Sequence, residues 1–167
     1  MNDSLMIKDR IKKIKKIREI KRFKLSFAES CTGGLLSSIV TEFSGASNFF
    51  DSSYIVYSNK SKINLLKVPK KIIKNFGAVS RRTSLYMATG LRKKTKSDIV
   101  LSITGIAGPD GGTKKNPVGT VYFTIGYKKN NRMLYETFRK RFKNKNRRYI
   151  QKKSAEFSLD QIIRVII

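Results

Sequence analysis

Residues 28–34, with the sequence AESCTGG, place a serine among small residues between two apolar segments. Residues 24–28 are compatible with a strand and residues 35–43 with a helix, so Ser30 would stand where a strand ends and a helix begins. Free backbone N–H groups at the start of a helix can stabilise an anion or a developing oxyanion. The segment therefore predicts either a nucleophilic Ser30, or a Ser30 and a Thr32 that only cap the following helix.

A second polar cluster, YSNKSK at residues 57–62, follows a predicted strand at residues 53–57. The chain has no histidine, so mechanisms that need an imidazole base, such as Ser-His-Asp catalysis, are excluded. The remaining common base for a serine is a lysine whose pKa is lowered by burial or by neighbouring positive charge. Lys60 and Lys62 are both candidates for this base.

Glycines are concentrated in a third segment, TGIAGPDGGT at residues 104–113, which is followed by PVGT at residues 117–120. Glycine lets the backbone approach a ligand closely and turn its N–H groups toward phosphate or carboxylate. The pattern is neither a Walker loop nor a dinucleotide fingerprint, which argues against nucleoside triphosphates and NAD-type cofactors. The alternative is a flexible surface loop without a ligand.

The single cysteine, Cys31, can form neither an internal disulfide nor a thiolate cluster. Together with the absence of histidine, this favours a protein without a metal site, and we expect no cofactor. Residues 1–24 contain no apolar stretch of signal-peptide length, and no segment approaches the ~20 apolar residues of a membrane span. We therefore expect a cytoplasmic protein with no membrane span.

The chain is strongly basic, with 37 Lys and Arg against 11 Asp and Glu, a formal net charge of +26. Such a charge attracts nucleic acid, so a nucleic-acid-associated binding protein is one candidate class. The excess is spread along the whole chain and accompanies abundant Ile and Asn, which also fits an A/T-rich genome. We expect at most non-specific association with nucleic acid.

Isoleucines recur at helical spacing near the start of the chain, at positions 7, 11, 14, 17 and 20. With Lys and Arg between them, they predict a basic amphipathic helix over residues 3–22. Such a helix could lie on a membrane or on nucleic acid. We expect instead that its isoleucine stripe packs onto the rest of the domain.

Strands and helices alternate along the remaining chain. Strands are predicted at residues 24–28, 53–57, 99–103, 118–127 and 133–138, the last two forming a hairpin around residues 128–131. Helices are predicted at residues 35–43, 58–66, a short turn from Pro69, 80–95 with Ser80 as N-cap, and from about residue 146 to the end. The pattern indicates an α/β fold: a single three-layer α/β/α domain with a mixed sheet, comprising an N-terminal helix (1–23) and a core (24–167).

The three polar segments, together with GAVS at residues 77–80 and PVGTV at residues 117–121, resemble the carboxy-terminal domain of the CinA family. The resemblance covers roughly residues 25–166 and rests on several blocks in the same order. It implies nicotinamide-nucleotide amidase activity, in which nicotinamide mononucleotide and water give nicotinate mononucleotide and ammonia. The family's separate molybdopterin-binding-like domain has no counterpart in this length, so its activities are not carried over.

The resemblance also implies roles for individual residues. Ser30 is the nucleophile, Tyr57 positions or relays a proton, and the family pattern selects Lys62 over Lys60 as the base. Oxyanion donors are expected near Gly33 or at the Thr104 hydroxyl. The complete set of implied substrate-binding residues is Thr32, Gly33, Gly34, Thr104, Gly105, Ala107, Gly108 and Arg147.

The segment expected to bind the phosphate of the mononucleotide departs most from the family pattern. Similar proteins carry a Gly-Asp-Arg-like motif before the last helix, whereas residues 144–147 here read NKNR, without the glycine and the aspartate. Arg147 is the expected phosphate ligand, with Arg141 and Arg148 as alternatives. Because of this departure, a second possibility is a relative that keeps the fold but has lost catalysis.

We expect a homo-oligomer, a dimer, acting on a small-molecule substrate.

Overall fold

The computed structural model describes residues 3–143 and 146–167 and contains one five-stranded sheet. Its strands are β1 (Leu25–Glu29), β2 (Phe50–Ile55), β3 (Ile99–Gly105), β4 (Thr120–Lys129) and β5 (Arg132–Arg141). The spatial order is β2-β1-β3-β4-β5. β1 is parallel to both of its neighbours, whereas β3, β4 and β5 pair antiparallel, so the prediction of a mixed sheet is confirmed.

Six α-helices accompany the sheet: α1 (Asp3–Ile20), α2 (Leu35–Thr41), α3 (Asn59–Leu66), α4 (Lys70–Phe76), α5 (Arg81–Thr95) and α6 (Arg147–Ile166). A 3-10 helix at Ala46–Asn48 was not predicted. The predicted N-cap of α5 is confirmed, because the Ser80 hydroxyl accepts the Thr83 N–H at 3.1 Å. None of the helices in the described residues has both the length and the apolar composition needed to cross a membrane.

Side-chain alternation along the strands distributes two apolar clusters to the two faces of the sheet. Leu25 and Phe27 of β1 pack with α1, α2 and α6 on one face. Ala28 of β1 and Val100 of β3 pack with α3, α4 and α5 on the other. This arrangement is the predicted three-layer α/β/α fold.

Helix α1 packs against α6 through its isoleucine stripe. Ile11 and Ile14 are completely buried, and the guanidinium of Arg10 is 2.6 Å from the Asp160 carboxylate. The prediction that this helix packs onto the domain is therefore confirmed. It is wrong for Ile20, which closes the helix with 79% of its surface exposed.

The strand boundaries differ from the sequence prediction by one to three residues, except at the start of β3. β2 begins at Phe50 and ends at Ile55, so Tyr57 lies beyond the strand and starts the connection to α3. The β4–β5 hairpin is tighter than predicted, because only Asn130 and Asn131 form its turn. Both asparagines have positive φ, 48° and 61°, as a two-residue hairpin turn requires.

Candidate active site

Three of the polar segments meet at one edge of the sheet. Ser30 directly follows β1, Thr104 lies near the end of β3, and the chain leaving β2 leads to Lys62 in α3. The carboxyl ends of parallel strands share an edge, where open α/β sheets commonly hold ligands. Ser30 is fixed to the neighbouring strand, because its N–H donates to the Ile103 carbonyl at 3.0 Å.

Lys62 and Ser30 form a buried pair at this edge. The Lys62 Nζ lies 2.9 Å from the Ser30 Oγ, and the two residues are only 1% and 7% exposed. The same amine donates to the carbonyls of Val56 at 2.7 Å and Tyr57 at 2.9 Å. Desolvation by burial lowers the pKa of Lys62 to about 8. A neutral amine here uses its two N–H groups on the carbonyls and turns its lone pair to the Ser30 hydroxyl.

Lys60 occupies a different side of the same helix. Two residues correspond to about 200° of rotation around an α-helix, so Lys60 points away when Lys62 points inward. Lys60 is exposed, whereas Lys62 is buried. The start of α3 is held by Ser58, whose hydroxyl accepts the Ser61 N–H at 3.0 Å. The structure therefore brings Lys62, and not Lys60, to Ser30.

The turn after Ser30 differs from the sequence expectation. The Gly33 N–H donates to the Ser30 carbonyl, and the Gly34 N–H donates to the Glu29 carboxylate, each at 3.1 Å. Within residues 3–143 and 146–167, Thr32, Gly33 and Gly34 do not line the cavity beside Ser30. The N–H groups expected to face an oxyanion near Gly33 are thus engaged by the protein itself.

The cavity beside Ser30 has a volume of about 240 Å³. The predicted site residues that line it are Ser30, Tyr57, Lys62, Thr104, Gly105, Ala107, Gly108 and Arg147. It also contains residues for which no role was predicted, namely Cys31, Ala78, Val79, Ile106, Asp110 and Gly111. Three larger cavities, two of about 510 Å³ and one of about 340 Å³, lie elsewhere, and the described residues that line them include neither a serine nor a buried lysine.

Two residues of the glycine-rich segment have structural partners. The Thr104 hydroxyl donates to the Ala78 carbonyl at 2.9 Å, so its proton is not directed at an oxyanion in this structure. A Cβ at Gly105 would lie 2.8 Å from the Thr120 carbonyl oxygen and 2.7 Å from Val121 Cγ2. Glycine at this position is therefore needed for the close approach of β4 to the cavity wall.

Arg147 spans the rim of the cavity. Its guanidinium donates to the Gly108 carbonyl at 2.9 Å and to the Tyr57 hydroxyl at 3.1 Å. Tyr57 is 61% exposed, which places its hydroxyl at the mouth. Arg141 lines a different cavity, and Arg148 is exposed. Of the NKNR segment, residues 144 and 145 lie outside the described residues.

The fold and this edge define an open mixed α/β sheet with a serine and a buried lysine in hydrogen-bond contact after its first strand. The chain matches the CinA C-terminal domain over residues 8–166 and belongs to that family.

Curated relatives and solved structures agree with this assignment. The chain is 46% identical over 143 residues to a CinA-like protein of Endomicrobium trichonymphae, covering 86% of this chain and 32% of that protein. It is 54% identical over 99 residues to a CinA-like protein of Petrotoga mobilis, covering 59% of this chain and 25% of the relative. The chain thus spans about a third or less of the length of these curated relatives.

Among crystal structures, the competence/damage inducible protein CihA of Agrobacterium tumefaciens superposes with a TM-score of 0.87 at 32% identity. That match covers 98% of this chain and 96% of the other. A competence or damage-inducible protein from Enterobacter asburiae gives a TM-score of 0.87 at 29% identity, covering 96% and 98% of the two chains.

Proposed function

We propose that this chain hydrolyses the carboxamide of nicotinamide mononucleotide to nicotinate mononucleotide and ammonia. The observation that carries the proposal is the buried Lys62 Nζ, 2.9 Å from the Ser30 Oγ. A serine paired with a neutral lysine is an activated nucleophile for acyl transfer. The geometry of the cavity supports the nucleophile and its base. The identity of the substrate rests on the family resemblance.

Acylation begins with proton transfer from the Ser30 hydroxyl to the neutral Lys62 amine. The Ser30 oxygen attacks the carboxamide carbon and forms a tetrahedral intermediate. Lys62 then returns the proton to the departing nitrogen, the C–N bond breaks, and ammonia leaves. This leaves Ser30 acylated, as an acyl-enzyme. Lys62, neutral again, accepts a proton from water, whose oxygen attacks the acyl carbon and forms a second tetrahedral intermediate. Lys62 then returns this proton to the Ser30 oxygen as the bond between that oxygen and the acyl carbon breaks, which releases nicotinate mononucleotide and restores the Ser30 hydroxyl.

The negative charge of each tetrahedral intermediate needs a nearby donor. We assign this role to the backbone N–H of Cys31, the residue after the nucleophile, because a strand-to-helix turn commonly supplies its oxyanion donor there. Cys31 also lines the cavity. Burial raises the pKa of the Cys31 thiol to about 12, so the thiol does not compete with Ser30 as nucleophile.

Arg147 is the proposed phosphate ligand, because its guanidinium lies at the cavity mouth and can bind two phosphate oxygens. Phosphate binding would replace its contact with the Gly108 carbonyl and keep its contact with the Tyr57 hydroxyl. Tyr57 then acts by positioning Arg147 rather than by relaying a proton, since its hydroxyl already contacts the guanidinium.

The proposed function is tested by ammonia release from nicotinamide mononucleotide, measured beside nicotinamide and nicotinamide riboside. We expect turnover of the mononucleotide and much weaker turnover of the two compounds without phosphate. Ammonia release no greater than that of a Ser30→Ala preparation would contradict the proposal.

Replacing Arg147 with alanine is expected to lower kcat/KM for the mononucleotide by roughly 10-fold to 100-fold, the range of a lost charge-assisted hydrogen bond. Turnover of the riboside should stay within about twofold, because it carries no phosphate for the guanidinium to bind. Arg148→Ala is the matched control, one position along the chain and exposed. Equal losses on both substrates, or a larger effect of Arg148→Ala, would move the phosphate role away from Arg147.

A further inference from the structure

Glu29, the last residue of β1, is a completely buried carboxylate in a chain with few acidic residues. One of its oxygens accepts the N–H groups of Gly34 and Leu36, both at 3.1 Å. The other accepts the Ser37 N–H at 2.9 Å and the Ser37 hydroxyl at 2.7 Å, with the Ser53 hydroxyl at 3.4 Å. All of these partners are uncharged donors, and most belong to the turn after Ser30 and the start of α2.

This arrangement makes Glu29 an internal anion at the start of α2. The first N–H groups of a helix lack partners within the helix and carry its positive partial charge. Glu29 satisfies several of them through a side chain of the preceding strand, five residues before Gly34. A substrate phosphate therefore does not find these donors free at the start of α2, which agrees with the proposed phosphate position at Arg147.

The same contacts hold the turn that carries the nucleophile. Gly33 and Gly34 have positive φ, 61° and 97°, and glycine adopts many other backbone conformations at little cost. The Glu29 carboxylate accepts the Gly34 N–H and so connects the end of this turn to β1, the strand that ends at Glu29. One conformation of the turn is thereby selected, the one in which the Ser30 Oγ lies 2.9 Å from the Lys62 Nζ.

We propose that Glu29 is a positioning residue for Ser30, an inference that rests on the proposed amidase function. It does not contact the cavity, and it acts through the turn of residues 30–34. Its effect falls on kcat, because the distance from nucleophile to base matters in the chemical step and not in binding the phosphate or ring.

The test replaces Glu29 with glutamine, which keeps the size but turns one acceptor oxygen into a donor facing backbone N–H groups. We expect kcat to fall on the order of 10-fold to 100-fold, with KM for nicotinamide mononucleotide within about twofold. Glu29→Asp retains the carboxylate and should recover part of kcat. The control is Ile14→Val, a buried change in α1 that also lowers Tm and removes none of the hydrogen bonds that Glu29 accepts.

Two kinetic results would overturn the positioning role. One is a kcat for Glu29→Gln, or for Glu29→Asp if only that variant folds, equal to that of the wild type. The other is an equal loss of kcat in Ile14→Val at a matched fall in Tm. If the wild type releases no ammonia, the proposed function fails separately. The crystal structure of the variant then decides, since an unchanged Ser30 Oγ to Lys62 Nζ distance would contradict the inference.

Discussion

Ser30→Ala is expected to reduce ammonia release from nicotinamide mononucleotide by about 10³-fold or more, the usual cost of removing a catalytic nucleophile. We assign attack on the carboxamide carbon to the Ser30 Oγ alone, with Lys62 as its base. Without that oxygen, no acyl-enzyme forms. The alanine variant should keep its fold, because the change removes one oxygen from a small side chain. The measurement is the initial rate of ammonia formation, with Tm recorded for both proteins.

The matched control is Ser38→Ala, an exposed serine in the helix that follows the turn. It should retain wild-type rate and Tm, since surface substitutions usually change stability by less than about 0.5 kcal/mol. A Ser30→Ala protein that still turns over at a rate close to that of Ser38→Ala would end the assignment of Ser30 as nucleophile.

Lys62→Met should cause a loss of ammonia release comparable to that of Ser30→Ala, because methionine fills a similar space but cannot accept the serine proton.

The pH dependence of the wild-type rate also tests whether Lys62 is the base. Only the neutral amine is the base, and the pKa of Lys62 is lowered to about 8. We therefore expect kcat/KM to rise about tenfold per pH unit below pH 8 and to level off above it.

Lys60→Met provides the comparison, since Lys60 lies on the exposed side of the same helix. Its rate and pH profile should match the wild type. If Lys62→Met retains activity, or if the wild-type kcat/KM falls as pH rises toward 8, the neutral amine of Lys62 is not the base.

Sequence patterns were sufficient for the order of the strands and α-helices and for the position of Ser30 at the end of the first strand. The cap at Ser80 and the hairpin between β4 and β5 follow from local chemistry, which a sequence displays directly. The choice between Lys60 and Lys62 does not follow from local chemistry, because both lysines stand in the same polar segment. Only the rotation of α3 against the sheet buries one and exposes the other, and that rotation depends on tertiary packing.

Glu29 illustrates what a sequence hides. A glutamate at the end of a short strand ordinarily reaches solvent, and acidic residues are rarely buried completely. Here β2 and β3 flank the strand on both sides, and the first turn of α2 covers its end, so the carboxylate is enclosed. The expectation that the N–H groups near Gly33 face a substrate overlooked this competing acceptor within the chain.

The packing of α1 on α6 has a consequence for how the chain acquires its structure. Ile11 and Ile14 are buried against a layer that includes Leu159 and Ile162, nearly 150 residues later. A ribosome releases the isoleucine stripe early, and its partner helix emerges only after the whole sheet has been synthesised. The nascent chain must therefore carry an uncovered apolar stripe while the sheet is being synthesised, with the flanking lysines opposing premature association.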